Sequence, residues 1–384
     1  MNWSEARASL QRYAADTWEP PFAQALPSNA EHYAASVSWW KVARRRALRE
    51  LNLAWHGQGL LVRERIDPAV HRRILWIHQG TPQVGDSLMD LAARVLLKGQ
   101  VQRLDLLTEA HLLDLYRHDE VFTQVASSAA ELHETYDLVL LHSTSSRSVQ
   151  DKLAHFRKIP FAHVQGFYTG PEFNRTLFGF YRLAQLLGSP LGVDKLNRMA
   201  RPSMRASSDE DAAIARLGIP AGAIAIALGG VRDWRTYTQW VPVLKGLVEA
   251  GVRVPVVLLG SDNGLALRDE IVAAGTGLKL IDRVGQHSLG EVHALMRRCS
   301  LVLCADGGLL HLAHTAGVPV LALFAGIIEP RFRVTAANRT HCLHGERSVD
   351  DVPVSDVVLS ALEAMAGPAS LSRLPDTPGR RDPS

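Results

Sequence analysis

The sequence predicts an α/β protein of two Rossmann-like domains with parallel sheets, preceded by an N-terminal helical extension. Three observations predict it. A chain of 384 residues exceeds what one hydrophobic core usually supports. Arg73 to His78 (RILWIH) reads as an apolar strand that runs through a Gly-containing loop into a helix. The same strand–loop–helix order restarts at Ala223 and recurs up to Phe324, which is the alternation that makes parallel sheets with helices on both faces.

Composition sets the outer limits. Hydrophobic residues make up 47% and charged residues 21%, ordinary for a globular protein. A net charge of +3 is far below the concentrated basicity of a nucleic-acid binder, and fits an anionic small molecule or an anionic membrane surface. Cys299, Cys304 and Cys342 have no metal-ligand spacing, and their odd number argues against a disulfide framework. The first residues have scattered charges and no apolar core, unlike a signal peptide, and no apolar run is long enough to span a bilayer. A cytoplasmic protein is expected, with work at the inner membrane surface still open.

In chain order, residues 1–70 form the helical extension, with helices expected from Trp3 to about Asp16 and from about Ala30 to Trp55. The second carries Trp39, Trp40 and Trp55 beside Arg44, Arg45, Arg46 and Arg49. Such a helix can pack on the first domain with solvated arginines, lie in a membrane interface, or meet a phosphorylated acceptor. Residues 71–205 form the first domain, with strands at 73–78, 101–107, 138–141 and 161–164 and a helix from Ser87 to about Lys98. The polar run 200–211 is the expected linker. Residues 206–366 form the second domain, and 367–384, rich in Pro, Ser and Arg, are expected to be disordered.

Three loops of the second domain follow strand carboxyl ends, so a parallel sheet brings them to one edge. They carry Gly229, Gly230 and Arg232, then Asp262, then Asp306, Gly307, Gly308, Leu309 and His311. Arginine and glycine-exposed N–H groups suit phosphate, and a carboxylate suits ribose hydroxyls, so a nucleoside diphosphate fits this edge. Arg232 can equally be a surface cation, and Asp306 a helix cap. In the first domain Asp86 stands at the start of a helix and is either an N-cap or a general base able to take a proton from a hydroxyl. His78, at the end of the preceding strand, is the competing base or a half-buried strand histidine.

Val84-Gly85-Asp86-Ser87-Leu88, the stretch Ala305 to Ala313 before Gly317-Val318-Pro319, and Ile281 to Leu289 together resemble glycosyltransferase family nine, the ADP-heptose heptosyltransferases. The resemblance runs over about residues 73 to 330. It implies a GT-B fold of two facing domains, inversion at the anomeric carbon, and no required metal or cofactor. It implies that Asp86 is the general base, that Arg232 contacts the donor phosphates, that Asp262 holds the ribose, and that Asp306, Gly307, Gly308, Leu309 and His311 take the diphosphate and sugar. The implied partners are a nucleotide-sugar donor, ADP-linked, and a glycan or glycolipid acceptor of the lipopolysaccharide-core kind, with peripheral contact at the inner membrane face. A protein or capsular-glycan acceptor, a non-catalytic nucleotide-sugar binder and a sugar-nucleotide epimerase are the rival readings.

Overall fold

A computed structural model describes residues 3–80, 83–144, 146–168 and 171–366. Thr81 and Pro82 of the first loop, and the tail expected to be disordered, lie outside the described residues. The chain divides into two units after Ser207, with Pro330–Asn338 belonging to the first.

The first unit runs α1 (Trp3–Ala15), α2 (Ala30–Ser36), α3 (Trp39–Trp55), β1 (Arg73–His78), α4 (Val84–Asp90), β2 (Arg103–Thr108), α5 (Leu113–Tyr116), β3 (Gln124–Ala126), β4 (Leu138–Leu141), α6 (Ser146–His155), β5 (Phe161–His163), α7 (Arg175–Leu186) and α8 (Val193–Met199). Its strands are all parallel in the order β3-β2-β1-β4-β5. β1 and β4 lie centrally, so their near-continuous apolar sequences are buried on both faces.

The extension is fastened to this unit. Val62 pairs with Phe161, and Arg63 donates its N–H to the Phe161 carbonyl at 2.8 Å, so the chain entering the fold covers the β5 edge. Lys152 donates to Gln58, and the Glu172 N–H to Asn29 Oδ1 at 2.7 Å. The single helix expected over 30–55 is two helices. Val37 is extended, with φ −110° and ψ 137°, between Ser36 and Ser38. Its β-branched side chain packs with Trp39 against Ala14, Val42 and Ala43, which favours the break.

The second unit runs α9 (Ser208–Arg216), β6 (Ile224–Ala227), α10 (Trp240–Glu249), β7 (Val256–Leu259), α11 (Leu265–Ala273), β8 (Leu280–Asp282), α12 (Leu289–Met296), β9 (Leu301–Ala305), α13 (Gly308–Ala316), β10 (Val320–Ala325), β11 (Thr340–Gly345) and α14 (Val354–Ala366). The parallel order is β11-β10-β9-β6-β7-β8. Trp240, Val243, Leu244 and Leu247 of α10 and Val357 and Ala361 of α14 bury their faces in the same core as the strands. β3 and β11 are edge strands that the sequence reading lacks. β3 (QVA) is short and β11 (THCLHG) interrupts its apolar residues with Thr and His, as tolerated where only one side is paired. α9 begins at Ser208, where the sequence leads to a helix from about Asp209 at the end of the polar run.

Each sheet reverses its strand order once, between β1 and β4 and between β6 and β9. Outside the carboxyl ends of such a pair is where an open α/β sheet holds its ligand.

Candidate functional site

At the reversal in the first unit, β1 ends on His78, β4 is followed by His142, and α4 carries Asp86 and Asp90. The helix begins at Val84 and not at Ser87, with Gln83 in the capping position. Asp86 is therefore inside the first turn and is not the N-cap residue. Its side chain is 31% exposed.

Four residues on, one helical turn later, Asp90 shares its face. Two carboxylates at that spacing repel, and Arg175 at the start of α7 resolves the conflict. Arg175 Nη1 lies 3.0 and 2.9 Å from the two Asp90 oxygens, and Nε 3.6 Å from Asp86 Oδ1. Burial alone would raise the Asp90 pKa, but Arg175 and then His142 hold it well below the ordinary carboxylate range. Burial also weighs against the Arg175 cation, and the Asp90 and Asp86 charges outweigh it, so its pKa is raised.

His78 Nε2 is 3.3 Å and His142 Nε2 3.2 Å from Asp90 Oδ2, and Gln165 Nε2 is 3.3 Å from Oδ1. His78 is fully buried, and burial lowers its pKa despite the hydrogen bond to Asp90. A buried neutral imidazole tied to a carboxylate supports Asp90 and is a poor rival to the partly exposed Asp86 for an acceptor proton. His78, Asp90 and His142 bring metal-ligand atoms within 4.8 Å of one another. Arg175 already sits on both Asp90 oxygens, so the charge this carboxylate requires is in place.

At the reversal in the second unit, the loops after β6 and β7 are pressed together. Gly229 has φ +84°, and a Cβ there would lie 2.7 Å from Asn263 Oδ1, so only glycine fits. A Cβ on Gly230 would lie 2.8 Å from the Arg235 carbonyl, while the Gly230 carbonyl accepts from Asn263 Nδ2 at 3.1 Å. Asp262, in the loop after β7, is exposed, and so is Arg232.

Asp306 follows β9 and is 4% exposed. Gly307 holds the capping position of α13, with Asp306 immediately before it. A Cβ on Gly307 would meet nothing within 4 Å, so space lies beside this turn. Arg235 Nη1 stands 3.6 Å from Asp306 Oδ2, with its guanidinium 4.6 Å from the centre of the Trp234 ring. Leu309 is half-buried, whereas His311 is buried and packs edge-on to His314 at 5.7 Å.

The structure thus gathers Gly229, Gly230, Asp262, Asp306, Gly307, Gly308 and Leu309 on loops and a helix start at one strand reversal. It adds Arg235 to Asp306, and in the first unit it adds Arg175, Asp90 and His142 to Asp86. The i, i+4 spacing of Asp86 and Asp90 was a usable signal for the pair. Nothing local in the sequence points to Arg175, which lies 85 residues further on.

Residues 181–355 match the model of glycosyltransferase family 9 (heptosyltransferase). A search of curated protein sequences returns no match. Among solved structures, the chain is similar to a glycosyl transferase family 9 protein from Veillonella parvula, with TM-score 0.64 and 13% identity, over 79% of this chain and 99% of that one. It is similar to the ADP-heptose lps heptosyltransferase II of E. coli, with TM-score 0.59 and 17% identity, over 77% and 98%. The E. coli heptosyltransferase WaaC with ADP follows at TM-score 0.52 and 15% identity, over 76% and 99%. The described chain has the GT-B fold of these proteins, and with residues 181–355 matching the family 9 model it is a glycosyltransferase.

Proposed function

We propose that the protein is an inverting, metal-independent transferase that moves a heptose from ADP-heptose onto a hydroxyl of a lipopolysaccharide-core or related cell-surface glycan. The observation that carries this reading is Asp86, a partly exposed carboxylate in the first turn of α4 that is not the N-cap residue and is paired to Arg175.

In this mechanism Asp86 accepts the proton of the acceptor hydroxyl as its oxygen bonds to the anomeric carbon. The bond from that carbon to the β-phosphate oxygen breaks on the opposite face, and its electron pair leaves with the diphosphate. Attack opposite the leaving group inverts the centre. Negative charge growing on the diphosphate is met by Arg232, by Arg235 and by the N–H groups at the start of α13, so protein donors supply the stabilisation that a metal provides elsewhere. Asp262 accepts from the ribose hydroxyls. Asp306, held by Arg235, and His311, packed beneath the same turn, shape the sugar and diphosphate end.

The matched solved structures include proteins described with ADP and as acting on ADP-heptose, which favours adenine and heptose here. No helix among the described residues is long and apolar enough to cross a membrane. The reading is of a cytoplasmic enzyme that meets a lipid-borne acceptor peripherally at the inner membrane face. A thermal-shift screen against ADP-, GDP-, UDP- and dTDP-sugars tests the donor. Stabilisation by ADP-heptose above the others is expected, and preference for another nucleotide would contradict this donor.

A further inference from the structure

Helix α3 has two unlike sides. Val42, Ala43 and Leu53 face inward and are buried. The other side repeats at 40, 44, 48, 51 and 55, the spacing of one helical face. Trp40 is 54% exposed, Leu48 56%, Leu51 62% and Trp55 83%, with exposed Arg44 among them. Four large apolar side chains held in water along one ridge are unusual where single exposed ones are not. Trp40 and Trp55 stand about 22 Å apart along the helix axis on that face, so the ridge presents itself lengthwise.

Beside the ridge lies a recess of about 420 Å³ lined by Arg45, Leu48, Arg49, Asn52, Thr144 and Gln150 among others. Arg45 and Arg49 make no ion pair among the described residues, and neither do Lys41 and Arg44. The Arg49 pKa is lowered by burial and by Arg45 next to it. The carboxylate of the helix, Glu50, faces away and is engaged by Arg46 at 2.8 Å and by the Tyr13 hydroxyl at 2.6 Å. Exposed Arg44 stands within the ridge and exposed Lys41 and Arg45 flank it, so the outward side is cationic and apolar at once, whereas Arg49 is half-buried toward the recess.

We propose that α3 docks the enzyme on an anionic lipid bilayer, with Trp40, Leu48, Leu51 and Trp55 entering the interface and Lys41, Arg44 and Arg45 engaging headgroup phosphates. Charge complementarity selects this occupant. A second copy packed on the same face would bring two sets of unpaired cations together, whereas an anionic membrane neutralises them. A 17-residue helix with this many charges cannot span the bilayer but suits lying in its plane. The inference deepens the reading of a lipid-borne acceptor without depending on donor chemistry.

The test is co-sedimentation of the full chain, without donor or acceptor, with phosphatidylcholine vesicles and with vesicles containing about 30% phosphatidylglycerol, an anionic content that lets headgroup charge be read apart from apolar insertion. Two double variants accompany it, Arg44→Glu with Arg45→Glu and Leu51→Ser with Trp55→Ser, their melting temperatures and chromatographic size measured in parallel. The parent should bind the anionic vesicles at least tenfold more tightly than the neutral ones. Each variant should lose at least tenfold on the anionic vesicles while melting like the parent. Equal binding to both vesicle types, no binding by the parent, or undiminished binding by the folded variants overturns the proposal. So does a parent dimer that Leu51→Ser with Trp55→Ser dissociates and that fails to bind vesicles, which would assign the ridge to a second copy. Should a variant not fold, the parent's comparison between vesicle types still decides. Failure here leaves the transfer reading standing, since transfer to a soluble acceptor is assayed separately.

Discussion

Arg175 holds Asp90 through both carboxylate oxygens, at 3.0 and 2.9 Å, while its Nε reaches to 3.6 Å from Asp86. One guanidinium thus offsets two carboxylates set a helical turn apart, and Asp90, anchored by His78, His142 and Gln165, keeps it there. Arg175 is a positioning residue in this account. It fixes the carboxylate that receives the proton.

Removing that guanidinium strands a buried charge. Arg175→Met should destabilise the first unit by about 3–5 kcal/mol, the usual consequence of breaking a buried pair from one side. Adding Asp90→Asn should recover part of the loss, because the stranded charge is then gone. Denaturant melts of the single and double variants check this, and a neutral single substitution would contradict it.

Arg235 is braced against Asp306 and Trp234, whereas Arg232 is exposed. A braced cation loses less freedom on meeting a phosphate. Arg235→Ala should weaken binding of the nucleoside diphosphate by about tenfold or more, the scale of one charge-assisted hydrogen bond. Arg232→Ala should cost less. Calorimetric titration with ADP ranks the two, and the reverse order would move the phosphate contact to Arg232.

Acid should destabilise the second unit well above the carboxylate range. Burial lowers the His293 pKa to about 4, with Arg297 adding to it, and burial lowers that of His314 to about 3, both from an ordinary 6.5. The unfolded chain binds these protons first, so stability is full above pH 6.5 and falls as pH drops through the window down to the folded values. Each imidazole should cost roughly 2 kcal/mol by pH 5. The melting temperature of this unit should then fall by roughly 10 °C between pH 7 and pH 5. A flat profile would show that neither imidazole stays neutral in the folded chain. In the first unit Asp90 acts lower, since its depressed pKa gives stability that is lost only as pH falls below an ordinary 3.8.

Most of the fold was legible because its central strands are buried on both faces and write long apolar runs, as at Leu138–Leu141 and Leu301–Ala305. Edge strands leave no such run, and β3 and β11 escaped for that reason. The break at Val37 was hidden because apolar spacing continues across it, and tertiary packing with Ala14 decides the bend. At the site, residues on loops after strands were readable from glycine and position. Arg175 and His142 were not, because their meeting with Asp90 depends on α7 returning to α4 after the sheet has formed. Arg235 lay within the loop that was read, but its pairing to Asp306 spans two strands.

The central claim is that Asp86 takes the acceptor proton, and single-turnover transfer from a saturating nucleotide-sugar donor by Asp86→Asn tests it most directly, with donor affinity measured alongside by calorimetry. The account predicts unchanged donor affinity and a transfer rate lower by about two to four powers of ten, the usual contribution of a general base. Full single-turnover transfer with donor affinity intact would contradict it.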